Sequence, residues 1–205
     1  MSKIIHEKLI TITQRKFKPL HKIVVANGPQ HLRKNHKDDL FTYLANTVTG
    51  QQLSNQAAAT IWGRVVKAAQ DNNESLFDFC CEKNVEALRA CGLSRNKIKA
   101  IIGVKEACTN GVLDSQKLMK ADYEELRKTI SSLWGFGTWS ADMIAIFYFG
   151  MKDVWSNEDL SLRRALNVVA GGDAKIEAAI LEHTAPYKSY LALHLWKAVD
   201  TKVIK

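Results

Sequence analysis

Apolar residues recur along most of this chain at intervals of three and four, and strand-like alternation is scarce, so the pattern predicts helices. Phe41, Leu44 and Val48 form one stripe, which Gly50 ends. Ser54 stands as an N-cap before a face made by Ala57, Ala58, Ile61 and Val65. Asn84 is placed to cap a short helix through Leu88 that Gly92 ends. Ser94 opens a helix bearing Ile98, Ile101 and Ile102, closed at Asn110-Gly111. Asp122 and Glu125 make a capping-box-like pair ahead of Leu126 and Ile130. Beyond Thr138, a helix with Ala141, Ile144, Ala145 and Tyr148 runs to Gly150. Residues 160–169 form the next, stopped by Gly171-Gly172, and Asp173 caps one with Ile176 and Ile180. Pro186 fits a first helical turn, with a last helix over 187–199. About ten helices and no strand are expected. The first forty residues show no motif, and the chain carries no fixed-period repeat or low-complexity linker.

A chain of 205 residues with 46% hydrophobic positions can bury a core without staples. The net charge of +8 suits a polyanionic partner, either nucleic acid or an acidic membrane face, or simply gives a solvated basic surface. Cys80, Cys81, Cys91 and Cys108 make no C-x-x-C pair, and no apolar run approaches the ~18 residues of a membrane span. Free thiols and the lack of an apolar signal core at the N-terminus lead us to expect a soluble intracellular protein. Its compartment would be the cytoplasm in a bacterium or the nucleus in a eukaryote.

The most telling segment is Leu133-Trp134-Gly135-Phe136-Gly137-Thr138-Trp139-Ser140-Ala141. Two glycines between helices suit a tight hairpin, with φ > 0 at one or both and bare backbone to meet a phosphate. The following helix offers its N–H groups and positive dipole end to an anion, here through Gly135, Gly137 and Thr138. A plain structural turn has the same signature.

The hairpin resembles that of the helix-hairpin-helix (HhH-GPD) superfamily of base-excision DNA glycosylases. Four further segments resemble its alkylpurine branch, in order. They are Gly50-Gln51-Gln52-Leu53-Ser54 with Ala57-Ala58, the run from Leu88 to Lys97, the stretch from Asp153 to Arg164, and that from Ala185 to Trp196. The chain has Trp134 where the family usually has Pro, and Ser156-Asn157 where a Pro is common. The resemblance implies an all-α fold of two helical lobes with a cleft between them. One such domain would span 1–205, with the hairpin at about 123–149 and no extra N-terminal β domain.

It also implies a chemistry. The sugar gains positive charge as a base leaves, and one carboxylate can stabilise it. The match puts Asp159 in that role, although Asp159 would equally cap the helix that follows it. Lyase-active members carry a lysine two residues after the second glycine. Trp139 stands there, so a monofunctional, water-using enzyme is implied. Members for oxidised pyrimidines commonly hold an iron–sulfur cluster near the C-terminus, and no cysteine follows Cys108. Trp139 and Trp196 match pocket positions where an indole would stack on a cationic alkylated purine such as 3-methyladenine or 7-methylguanine. Both could instead be core aromatics. Gln52 or Leu53 would wedge into the gap left by a flipped base. Arg163 and Arg164, or Lys97, would add phosphate grip. No cofactor or metal is expected, apart from a monovalent cation that the hairpin carbonyls of this family can hold. The expected partner is double-stranded DNA with damaged bases, bound by a monomer without any membrane. The alternatives are a non-catalytic module that holds the DNA backbone, or a glycosylase for another lesion such as oxidised guanine.

Overall fold

The computed structural model describes residues 2–32 and 39–204. Among them lie thirteen α-helices, a single 3-10 turn at Glu82–Asn84 and no strand. The helices are α1 (Ser2–Lys16), α2 (Lys18–Asn27), α3 (Leu40–Gly50), α4 (Asn55–Asp71), α5 (Leu76–Phe79), α6 (Val85–Ala90) and α7 (Arg95–Thr109). They continue with α8 (Ser115–Leu118), α9 (Tyr123–Ser131), α10 (Thr138–Phe147), α11 (Leu160–Val169), α12 (Ala174–Thr184) and α13 (Lys188–Asp200). None is long and apolar enough to cross a membrane. The chain divides into two units, Met1–Asn35 with Asp142–Lys205, and His36–Ala141, and the division falls inside α10.

The first unit is built from α1, α2 and α11 to α13. Leu162, Ala165, Leu166 and Val169 follow helical spacing along α11 and share a core with Ile180, Leu191 and Leu195. Ile5 and Leu9 of α1 and Leu20 and Val24 of α2 join the same cluster. Residues 2–27, which carry no motif, thus form α1 and α2. The α1 stripe is Ile5, Leu9 and Thr13, and its third member is a buried threonine. Thr13 satisfies its hydroxyl on the Leu9 carbonyl at 2.8 Å, so a polar residue holds an apolar position.

In the second unit α3 lies against α7 and α4. Leu40, Phe41, Leu44, Ala45 and Val48 of α3 are buried, as are Ile98, Ile101 and Val104 of α7. Phe41 meets Phe77 edge-on, with centroids 4.9 Å apart.

Most expected caps are present: Ser54, Ser94, Asp122, Asp159 and Asp173 each accept a first-turn N–H. Asn84 does not: its backbone lacks the extended conformation of a cap, and its side chain is turned so that the amide donates to Glu74 and to the Phe79 carbonyl. Pro186 lies in the turn before α13 rather than in its first helical turn, and its bond to Ala185 is cis. The count exceeds about ten because α1, α2 and two single-turn helices, α5 and α8, were not expected.

His194, on α13, is 1% exposed and stacks on His6 with centroids 5.8 Å apart. Burial, then the nearby His6 and Lys197, pushes its pKa down from 6.5 to about 4. The unfolded imidazole takes its proton near pH 6.5 and the folded one only near pH 4. Between those values the unfolded chain binds more protons, so stability falls as pH falls. Urea unfolding at pH 7 and pH 4 should differ by ~3 kcal/mol from this residue alone, and a His194→Gln variant should lose that part of the pH dependence.

Candidate active site

The reversal between α9 and α10 is a tight turn in which the Leu133 carbonyl accepts the Phe136 N–H at 3.1 Å. Gly135 occupies its third position with φ +85°, the conformation that selects glycine there. A Cβ at Gly135 would lie 3.0 Å from the Ala100 Cβ, so α7 also needs a bare backbone. Gly137 has no positive φ, and a Cβ there would meet nothing within 4 Å. Only Gly135 makes the reversal, and Gly137 leaves clear space in front of the chain. Phe136, between them, is buried and anchors the turn. The second turn position suits Pro but does not require it, and Trp134 takes it with its ring exposed. The Lys99 ammonium sits 4.0 Å from that ring's centroid. Thr138 then starts α10 and presents its dipole end.

Within the same unit a hollow of about 590 Å³ is lined by Gln52, Leu53, Gly135 and Trp139, among others. Four residues singled out for wedge, phosphate and pocket thus border one space. Trp139 is 43% exposed and Leu53 39%, so neither is a core residue. Gln52 is exposed and holds φ +57°, rare for a residue with a side chain. Lys97, expected on a phosphate, is committed elsewhere. Its ammonium donates to the carbonyls of Thr49 and Gln51 at 2.8 and 2.9 Å, and burial lowers its pKa.

Asp159, in the other unit, is 9% exposed and is the N-cap of α11. Three donors converge on its Oδ1: the Leu162 N–H at 2.9 Å, the Ser161 hydroxyl at 2.6 Å and the Trp196 indole N–H at 3.4 Å. Capping and chemistry are therefore not alternatives, since the cap bond is what orients the carboxylate. Trp196 is half-buried, tilted against Phe147 at 5.7 Å, and linked directly to Asp159. Glu158, beside it, is exposed. Arg163 and Arg164 are exposed and border a hollow of about 460 Å³ with Trp155 and Asn157.

The loop ahead of Asp159 has supports that the sequence did not reveal. The Ser189 hydroxyl accepts the Val154 N–H at 3.0 Å and donates to the Met151 carbonyl at 2.7 Å. Asp153 receives the Lys188 N–H at 3.2 Å and lies 3.4 Å from its ammonium. Two of the segments singled out in the sequence are therefore bonded to each other. Ser156 is fully buried, with a hydroxyl that finds no partner. Its carbonyl accepts the Asp159 N–H at 3.3 Å.

Residues 45–186 match the family model described as HhH-GPD superfamily base excision DNA repair protein. The chain belongs to the HhH-GPD superfamily. It is 30% identical to a DNA-3-methyladenine glycosidase of Bacillus halodurans, with a TM-score of 0.82 over 96% of this chain and 90% of that one. A Schizosaccharomyces pombe 3-methyladenine DNA glycosylase, solved in complex with abasic DNA, is 25% identical with a TM-score of 0.73, covering 96% and 97% of the two chains. By sequence, the S. pombe DNA-3-methyladenine glycosylase 1 is 28% identical over 188 residues, 88% of this chain and 81% of that protein.

Among the described residues of this HhH-GPD chain, no group of three or more His, Cys, Asp or Glu could hold a metal ion. A cation at the hairpin would rest on backbone carbonyls, which suit a hard ion and keep a second lone pair beyond the bonds they accept. The two hairpin glycines should respond differently to alanine. Gly135→Ala should cost ~1–2 kcal/mol in urea unfolding, from its φ and from Ala100. Gly137→Ala should leave stability within ~0.5 kcal/mol yet weaken duplex binding measured by fluorescence anisotropy.

Proposed function

We propose that this chain is a monofunctional DNA glycosylase of base excision repair, which flips alkylated purines of the 3-methyladenine and 7-methylguanine type out of duplex DNA and hydrolyses their N-glycosidic bond. The observation that carries the reading is the Asp159 carboxylate, held at the N-terminus of α11 by three donors on one oxygen. Family membership and the names of the similar proteins support it. The bound abasic DNA in the S. pombe structure supports it too, since an abasic site is what base excision leaves behind.

The chemistry follows from the leaving group. Alkylation at purine N3 or N7 makes the base a cation, so the C1′–N bond breaks with its electron pair going to the base, which departs neutral. No general acid is needed. The sugar becomes an oxocarbenium-like cation, and the Asp159 carboxylate stabilises it until water adds at C1′ and loses a proton. The charge-assisted bonds from Leu162 and Ser161 keep that carboxylate oriented. Trp139 offers an exposed indole face to the electron-poor ring. Trp196 holds Asp159 through its N–H as well as presenting its ring. With Trp139 in place of an amine, no Schiff base forms at that position. Gly135, Gly137 and Thr138 meet the phosphate, the hairpin backbone carbonyls would hold a monovalent cation that adds positive charge near it, and Arg163 adds more. The protein acts as a monomer on double-stranded DNA.

Duplexes bearing methylated, deaminated or oxidised bases, incubated with the protein and then cleaved with alkali, test this. Methylated purines should be released, and Asp159→Asn should slow release by ~10²–10³. Binding without release of any base would leave a backbone-holding module. A covalent adduct trapped by borohydride would overturn the monofunctional mechanism.

A further inference from the structure

Lys97 sits at the end of α3 and closes it. Its ammonium donates to the Thr49 carbonyl at 2.8 Å and to the Gln51 carbonyl at 2.9 Å, where a helix C-terminus favours a cation. Partial burial lowers its pKa. The side chain of Gln51 runs to the hairpin, where its amide donates to the Gly135 carbonyl at 2.9 Å. Gly135 in turn lies against Ala100, on α7 like Lys97. The contacts close a circuit from α7 through the 51–54 loop to the hairpin and back to α7. Just outside its anchors stand Gln52, with φ +57°, and Leu53, 39% exposed. That φ is uncommon for a residue with a side chain and is used here just past the end of α3, where a left-handed residue closes a helix.

We propose that Lys97 and Gln51 are positioning residues for base extrusion, keeping Gln52 and Leu53 as a preformed wedge in register with the phosphate-binding hairpin. This rests on the glycosylase reading above. A loop that must be ordered on contact with DNA spends binding energy on that ordering, whereas a braced one does not. The brace therefore matters in proportion to how firmly the target base is held in the stack. A merely structural role would depress activity on every substrate alike.

The test compares Lys97→Met, Lys97→Arg and Gln51→Glu with the wild type. Gln51→Glu sets a carboxylate against the Gly135 carbonyl. Single-turnover release of a methylated purine is followed from two duplexes, one with the target paired and one with it opposite a tetrahydrofuran abasic analogue. A neighbouring 2-aminopurine reports extrusion. Lys97→Met and Gln51→Glu should slow release from the paired duplex about tenfold or more and blunt the fluorescence rise. On the unpaired duplex they should stay within about twofold, and Lys97→Arg should recover part of the loss. Melting curves establish that each variant is folded, and Gln51→Glu carries the test if Lys97→Met is not. Equal losses on both duplexes overturn the wedge brace. A wild type that releases no base from either duplex overturns the glycosylase reading itself.

Discussion

The N-cap of α11 is the interaction on which the placing of Asp159 and the packing of its helix depend. A helix leaves its first N–H groups without intrahelical partners, and an aspartate in the cap position answers one of them. Here the answer is the Asp159 Oδ1, which takes the Leu162 N–H while Ser161 and Trp196 donate to the same atom. A bond that starts a helix also fixes a buried carboxylate in direction. The helix so started buries Leu162, Ala165, Leu166 and Val169 in the core of its unit. The placing of Asp159 is therefore secured by packing several residues away.

α13 contributes to that placing twice. Near its start Ser189 stitches down the loop at Met151 and Val154. Two turns later Trp196 reaches the carboxylate. One rigid element thus sets both the approach of the chain to Asp159 and the attitude of its side chain. At the end of that loop the backbone carbonyl of the buried Ser156 accepts the Asp159 N–H.

In the other unit α7 has the corresponding part. Its Ser94 cap starts it, Ile98 and Ile101 root it in the core, and Ala100 and Lys97 carry the hairpin and the 51–54 loop. The small side chain and the long cation do different work. Ala100 admits a close backbone, and Lys97 satisfies carbonyls at the end of α3.

Local chemistry could be read directly from the chain wherever it acts over a few residues. The caps at Ser54, Ser94, Asp122, Asp159 and Asp173 and the extent of α11 were visible, because each follows from neighbours within one helical turn. Gly135 and Asp159 could be named as candidates for the same reason, with the family likeness adding the roles that spacing left open. What escaped was set by partners beyond one helical turn or by burial that only the fold supplies. Lys97 was a candidate for phosphate grip, and only its nearness to Thr49 and Gln51 turns it inward. Asn84 had the right residue type for a cap, but Glu74 and Phe79 claimed its amide first. α1 hid because Thr13 breaks its apolar pattern, and only the fold supplies the burial that makes the hydroxyl bond back on its own helix. Trp196 could be matched to a pocket, but that its N–H meets the carboxylate is a fact of tertiary packing. The sequence by itself determined which residues could cap, turn and carry charge. The tertiary structure decided which of those groups meet, since long-range partners compete for the same donors and acceptors and only the folded geometry chooses among them.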